Sequence, residues 1–242
     1  MSSSKLLHLG VSACAFVMVT AISAQAYTID LFTSPRVVTV IDLNDPDPTL
    51  VKVNHVDTLG GQRDLLLDVL GTPGAVSYAG TIGEGSFVFN SGSPGVAATL
   101  QYDGIDADVV GPPASLVNAE GLGGFDLTAG GTDRFNLDFT RIDGGDYQYT
   151  DIEIEVHNGA DVALFVGTIP DSSIPIRYDV LFSSFTGITS ALSSATSLEI
   201  RFNPTSHSDV DFTMTGSIGT PEPATMGLLA LGGLAMLKRR KK

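Results

Sequence analysis

The 242-residue chain is acidic, with 27 Asp and Glu against 13 Lys and Arg and a formal net charge of −14 at pH 7. This balance disfavours nucleic-acid binding, which needs a basic surface for phosphate contacts, and it also disfavours adhesion to anionic lipid. The single cysteine, Cys14, excludes a disulfide framework.

Residues 1–26 have the organisation of a secretory signal peptide. Lys5 supplies a short positive region, residues 6–22 are mostly apolar, and Ala24-Gln25-Ala26 is an A-x-A cleavage site. We therefore predict cleavage after Ala26. A lipoprotein-type site at Cys14 is the alternative. It is disfavoured because the apolar run continues past the cysteine, whereas a lipidation site should end such a run.

Residues 27–219 are predicted to form a single all-β domain, since this length suffices for one substantial core. Strict alternation of apolar and polar residues marks Phe135–Phe139, Ile152–Val156 and Val210–Thr215 as strands with one buried face. Further strands are predicted at Val37–Ile41, Asp64–Leu70, Val76–Ile82, Ser86–Phe89, Ala97–Tyr102, Ala163–Ile169, Ile176–Phe182 and Leu198–Phe202. Turn signals separate these strands, and one segment, Ser184–Thr196, has room for a helical turn or two. The spacing favours an antiparallel sandwich or barrel.

The order of several segments within this domain is similar to that of a jelly roll of the galactose-binding type. The segments are Gly121–Thr128, Phe135–Phe139, Phe182–Thr186, Leu198–Phe202 and Asp209–Phe212. The resemblance implies that an Asp-Leu-Thr segment introduces a core strand and that a loop holding a phenylalanine follows a later strand. It also implies that the last strand returns beside the first.

Tyrosines provide the candidate ligand sites, and Tyr102 beside Asp103 is the second choice. Tyr147 and Tyr149 follow the turn at 143–146 and, two residues apart on a strand, would share one face on which a sugar ring could stack. The alternative is that these rings cover the edge of the core. The absence of tryptophan from the chain argues against binding of flat crystalline polysaccharide.

Calcium is the candidate cofactor, because Asp makes up 21 of the 27 acids and its carboxylate is a hard oxygen ligand. Asp209 and Asp211 are the first choice for ligands, since the jelly rolls that this domain resembles often join an early loop to the final strand through structural calcium. The alternatives are the cluster at 103–108 and an ordinary turn or solvated surface role. The acidic turn at 42–48 is interpreted as a rigid loop.

No recognisable catalytic motif is present. His55, His157 and His207 lie far apart and outside any zinc or protease motif, and the chain has no nucleophile elbow or phosphate-binding loop. Glu153 and Glu155 could be taken for the paired carboxylates of a glycoside hydrolase, but alternation places both on the solvent face of one strand. We therefore predict a non-enzymatic protein.

Residues 220–242 form a three-part C-terminal segment. Pro221-Glu222-Pro223 precedes an apolar run at 224–237, and a basic cluster at 238–242 ends the chain with Lys238, Arg239 and Arg240 at its start. The basic cluster should stay on the cytoplasmic side and stop transfer of the apolar run across the membrane. A permanent anchor is the alternative, but the run has 14 residues, whereas a helical span needs about 20.

This tail resembles the PEP-CTERM sorting signal of exported Gram-negative bacterial proteins. The segment Gly60-Gly61-Gln62-Arg63-Asp64-Leu65 is similar to a Gly-Gly-x-Arg-Asp-Leu pattern common in such proteins. The resemblance implies an exosortase-type membrane enzyme as processing partner, acting near Pro221-Glu222-Pro223. It also implies transient contact of the precursor with the inner membrane and a host that makes extracellular polysaccharide.

The sequence thus predicts an exported β-sandwich protein of the cell envelope, surface or extracellular matrix. Once the terminal segments are removed, the domain keeps 7 of the 13 basic and 26 of the 27 acidic residues, a net charge of about −19. Two functions remain open, a structural or adhesive role and carbohydrate binding to extracellular polysaccharide.

Overall fold

The computed structural model describes residues 28–33, 37–41, 49–54, 58–69, 78–83, 85–91, 95–105, 121–205, 209–215 and 218–219. The strands in chain order are β1 (Thr28–Asp30), β2 (Val37–Ile41), β3 (Thr49–Asn54), β4 (Gln62–Val69), β5 (Tyr78–Gly83), β6 (Ser86–Asn90), β7 (Val96–Tyr102), β8 (Arg134–Asp143), β9 (Tyr149–Asn158), β10 (Asp161–Pro170), β11 (Ile176–Leu181), β12 (Thr186–Gly187), β13 (Ser197–Phe202), β14 (Asp211–Thr215) and β15 (Ile218–Gly219). Short 3-10 helices span Leu59–Gly61, Ala129–Gly131, Gly145–Tyr147, Phe182–Ser184 and Thr189–Ser193.

The described strands form two antiparallel sheets that enclose one core. The first sheet has the order β1-β15-β8-β14-β6-β5-β2, with β11 also paired to β8. The second has the order β12-β10-β9-β13-β7-β4-β3. The predicted all-β antiparallel sandwich is confirmed.

Alternation of side chains explains why these segments are strands. In β9, Thr150, Ile152, Ile154 and Val156 are buried, while the residues between them are partly exposed. Because successive strand residues point to opposite faces, this pattern seals one face of the second sheet against the core. The strand then turns back through Gly159, which has a φ of 59°, into its antiparallel neighbour β10.

Every strand predicted from the sequence is present, with ends shifted by a few residues. The prediction missed β3, at Thr49–Asn54, and the short strands β1, β12 and β15. A strand of two or three residues is too short to show a period of two, so its existence depends on its neighbours. The helical turn predicted within Ser184–Thr196 is present as the 3-10 helix Thr189–Ser193.

Phenylalanines join the two sheets at the centre of the core. Phe202 of the second sheet lies 4.8 Å from Phe212, 6.1 Å from Phe87 and 6.4 Å from Phe139, centroid to centroid, all three in the first sheet. These separations match the edge-to-face and tilted pairings that aromatic rings prefer. The cluster fills the space between the sheets.

The described structure agrees with two features implied by the jelly-roll resemblance and differs in the third. Leu127 of the Asp-Leu-Thr segment is fully buried and precedes β8. Phe185, in the loop after β11, packs 6.0 Å from Phe135 of that core strand. The strand beside β1 is β15, however, and not the predicted Val210–Thr215 strand, which lies between β8 and β6.

A buried ion pair ties the edge of the first sheet to the second. Arg63 Nη1 of β4 donates to Asp30 Oδ2 of β1 at 2.5 Å, and the Tyr102 hydroxyl of β7 donates to the same oxygen at 3.0 Å. The other carboxylate oxygen accepts the Phe32 backbone N–H at 2.7 Å, and the Phe32 ring lies 5.5 Å from the guanidinium carbon. Burial raises the pKa of Tyr102 well above its ordinary value, so the hydroxyl remains a donor.

The Gly-Gly-x-Arg-Asp-Leu segment delivers Arg63 to this position. Gly60 and Gly61 have φ of 74° and 83°, which favour glycine. A Cβ on Gly60 would lie 2.9 Å from the Gly104 Cα, so the turn also packs too tightly for a side chain. The segment is therefore a structural device that fixes the start of β4.

Replacement of Arg63 should reveal how much this ion pair stabilises the sandwich. Arg63→Met leaves the Asp30 carboxylate buried without its cation, so the free energy of unfolding should fall by about 3–5 kcal/mol. The matched control is Arg177→Met, which breaks the exposed Arg177–Asp138 pair at 2.7 Å and should cost less than about 1 kcal/mol. Urea denaturation of both variants checks this, and equal losses would contradict it.

Candidate functional site

The two candidate tyrosines lie on the connection between β8 and β9. Tyr147 ends the 3-10 helix Gly145–Tyr147, and Tyr149 begins β9. Gln148 between them has a φ of 61°, which reverses the chain. The carboxylate of Asp171, just after β10, accepts the Gly144 backbone N–H at 2.6 Å and so secures the connection.

The tyrosine rings meet edge to face. Their centroids are 6.2 Å apart and the planes cross at 66°, because Tyr147 belongs to the helical turn and not to the strand. Tyr147 is 50% exposed, whereas Tyr149 is half-buried. The structure therefore brings the two residues together, with Tyr147 as the more exposed of the two rings.

Asp209 and Asp211 flank the start of β14. Asp211 is half-buried and lies opposite Asp143 of β8 in the antiparallel register. Burial raises the pKa of Asp211, the Arg141 guanidinium opposes this, and the Asp143 and Asp209 carboxylates raise the pKa further. Within the described ranges no three His, Cys, Asp or Glu side chains converge as ligands for a metal ion. Asp209 and Asp211, the predicted calcium ligands, thus lie near the Asp143 carboxylate, but the described side chains do not form a metal-binding cluster.

Sequence reasoning missed a row of polar residues on the outer face of the second sheet. Antiparallel register places Asp64 beside Gln101, Gln101 beside Glu199, and Glu199 beside Glu155. Gln101 Nε2 donates to Glu199 Oε1 at 3.2 Å, and His157 Nε2 lies 3.0 Å from Glu155 Oε2. We call Asp64, Gln101, Glu199, Glu155 and His157 the polar face.

The groups of the polar face perturb one another. Burial raises the pKa of Glu199, and the adjacent His157 partly offsets this. The hydrogen-bonding Glu155 carboxylate raises the pKa of His157. The apolar–polar alternation of Leu198–Phe202 predicts that the Glu199 side chain points away from the core. It does not predict which residues of the neighbouring strands lie beside Glu199, and so the polar face was missed.

The residues predicted for processing and membrane contact lie outside the described residues. These are Ala26, Pro221, Glu222, Pro223, Lys238, Arg239 and Arg240. His55, His207 and the acidic turn at 42–48 also lie outside them. Where the structure is described, no helix has the length and apolar character needed to span a bilayer.

The C-terminal segment does have known counterparts. Residues 220–242 match the PEP-CTERM protein-sorting motif. The resemblance seen in the sequence is confirmed. The PEP-CTERM motif marks an exported protein that an exosortase sorts to the cell surface.

Solved structures with a similar arrangement of strands include carbohydrate-binding modules. One is a variant of a family 29 module, with 12% identity over 77% of this chain and 92% of its own, at a TM-score of 0.37. Another is the family 11 module of a cellulosomal cellulase of Clostridium thermocellum, with 9% identity over 82% of this chain and 95% of its own, at 0.38. A comparison with curated proteins gives no match.

The pH dependence of an Asp211 variant tests the electrostatics at β14. A raised pKa means that the folded protein binds this proton more tightly than the unfolded chain, so the contribution of Asp211 to stability falls as pH rises through its folded-state pKa. Asp211→Asn should therefore raise the melting temperature at pH 7 in calcium-free buffer. The gain should vanish below about pH 3.9, the ordinary pKa of Asp.

Calcium is the second arm of this experiment. If Asp209 and Asp211 bind calcium, millimolar calcium should raise the wild-type melting temperature above the value in sodium chloride of equal ionic strength, because a ligand of the folded state stabilises it. Asp211→Asn should lose that excess, and the exposed Asp161→Asn should keep it. A lower melting temperature for Asp211→Asn in calcium-free buffer would contradict the electrostatic assignment.

Proposed function

We propose that this chain is a non-enzymatic structural or adhesive protein of the cell surface or biofilm matrix, processed by an exosortase at its C-terminal motif. The observation that carries the proposal is the PEP-CTERM motif at 220–242 joined directly to a β-sandwich whose last described strand ends at Gly219. The motif supplies the route to the surface, and the sandwich is the part that remains there.

The chemistry of the described surface supports a structural role. Charged side chains on the outer face of the first sheet pair with each other, as in Arg177–Asp138 at 2.7 Å and Arg141–Asp143 at 3.0 Å. His157, which lies beside Glu155 on the polar face, is part of a similar pairing. A net charge of about −19 on the exported domain favours hydration and opposes collapse onto neighbouring copies.

Intact mass measurement of the exported protein tests the sorting route. The mature protein should lack the apolar run and the basic cluster, with its C-terminus near Pro221-Glu222-Pro223. In a host without its exosortase, the same measurement should find the complete tail. Recovery of mature surface protein that still extends to Lys242 would overturn the proposal.

Carbohydrate binding is the second candidate function, and the exposed Tyr147 ring beside Tyr149 favours it. A sugar ring could stack on the half-exposed Tyr147 ring, while Asp146 and Gln148, both exposed, offer oxygen and amide groups to its hydroxyls. The ligand expected from the export route is the extracellular polysaccharide of the host.

A glycan array on the exported domain distinguishes the two functions. If Tyr147 stacks on sugar, Tyr147→Ala should weaken binding by roughly twofold to twelvefold, the effect of losing about 0.5–1.5 kcal/mol of aromatic contact. Tyr147→Phe keeps the ring and is the matched control, so it should retain most of the affinity. Absence of binding to any glycan would leave the structural role alone.

A further inference from the structure

One edge of the first sheet is the strand β11, at Ile176–Leu181. All of its residues are in register with β8 on one side. Within the part of the chain that the structure describes, β8 is the only strand that pairs with it. The backbone groups that point to the other side of an edge strand form a template on which a further strand can pair. This edge is therefore a surface at which the sheet can be extended.

The charge balance along this edge differs from that of the domain as a whole. Strands β8 and β11 together carry three arginines and three aspartates, and so they have no net charge. The exported domain has only seven basic residues and a net charge of about −19. Because like-charged surfaces repel, a second copy of this chain meets less repulsion at β8 and β11 than the net charge of the domain predicts.

Two opposite charges lie on the outer face of β11, on either side of Tyr178. The side chains of Arg177 and Asp179 are 60% and 39% exposed. Val180, on the other face of the strand, is buried in the core, and Tyr178 packs half-buried against the margin of that core. The strand therefore places one positive and one negative group symmetrically about a central residue.

This symmetry makes β11 complementary to the β11 of a second copy. When the two strands pair antiparallel with Tyr178 opposite Tyr178, each Arg177 faces the Asp179 of the other copy, and opposite charges in directly opposed positions attract. A shift by two residues sets Arg177 opposite Arg177, or Asp179 opposite Asp179. A shift by one residue sets a core-facing side chain opposite a solvent-facing one. Only one register is therefore favourable.

Residues of β8 hold both charges in place. Arg177 donates from Nε and Nη2 to the Asp138 carboxylate at 2.7 and 2.9 Å. The Asp179 carboxylate accepts from Arg134 Nη1 at 3.3 Å and from Asn136 Nδ2 at 2.5 Å. A guanidinium has five donors and a carboxylate has about four acceptor positions, so both groups can also bond across an interface. Because these side chains are already ordered, they lose little conformational entropy when two copies pair.

We propose that β11 is a self-association surface, on which a second copy of this chain adds its own β11 in antiparallel register through Arg177 and Asp179. The first sheets of the two copies then form one continuous sheet across a twofold axis at Tyr178. The inference goes beyond the proposed function, because pairing of two copies is a property of the folded domain and not of its export. The interface is small, so association is weak in solution and is reinforced where many copies are displayed on one surface.

Two charge-reversal variants of the exported protein test this pairing by sedimentation velocity. Arg177→Asp gives each copy two negative groups at the paired positions, and Asp179→Arg gives each copy two positive groups. Either variant alone should lose the rise of sedimentation coefficient with concentration that the wild type shows, because like charges should increase the dissociation constant by about tenfold or more. An equimolar mixture of the two variants should recover the rise, since opposite charges then face each other again.

The matched control is Arg141→Asp. It makes the same change of charge at an exposed arginine of β8, outside the part of β8 that pairs with β11, and should associate like the wild type. Circular dichroism and thermal melting of each variant establish that the sandwich is folded. The proposal is overturned if the mixture of folded variants does not associate, or if Arg177→Asp associates as strongly as Arg141→Asp.

A cysteine at the twofold axis tests the register without changing any charge. In chains that carry Cys14→Ser, Tyr178→Cys should form a disulfide-linked dimer under mild oxidation, because the Cα atoms of directly paired residues lie about 4.5–5.5 Å apart. Thr140→Cys, at an exposed position of β8, is the control and should stay monomeric. Absence of the Tyr178→Cys dimer, or equal dimer formation by Thr140→Cys, would rule out this register.

Discussion

The buried pair between Asp30 and Arg63 is the constraint on which the arrangement of the sandwich depends. Two sheets packed through apolar side chains can slide over one another, because hydrophobic contact is not directional. A buried carboxylate that accepts from Arg63, Tyr102 and the Phe32 backbone has one satisfactory position. A buried charge must be paired, so this network fixes the edge strand β1 against the second sheet.

That constraint extends to the C-terminus of the domain. Because β1 is fixed, it provides an edge on which β15 can pair, and β15 ends at the residue before the sorting motif. Thr28 pairs with Gly219, so the beginning of β1 and the end of β15 lie side by side. The first and the last described strands are therefore paired with each other within the first sheet.

The outer faces of the two sheets differ in how their charged side chains are paired. On the first sheet, arginines on β8 and β11 pair with neighbouring aspartates. On the second, the polar face holds several carboxylates close together, and burial raises the pKa of Glu199. Cross-strand attraction stabilises the first face, while like charges on the second offset part of that gain.

The sequence by itself determined the sorting motif and the longer strands. The motif is linear, so its Pro-Glu-Pro signal, apolar run and basic cluster are visible without a fold. The strands follow from a period of two, which is also a local property, as in Ile152–Val156.

Only the tertiary structure decided which distant residues meet. Arg63 lies 33 positions from Asp30, and Tyr102 lies 72 positions from it, so no local pattern shows that these residues form one network. From the sequence alone, Arg63 would be taken for an ordinary surface residue. Its burial against Asp30 is visible only once β4 is placed in its sheet. The polar face and β15 escaped prediction for the same reason: both exist through the register of neighbouring strands, which is set by long-range packing and not by the composition of any one segment.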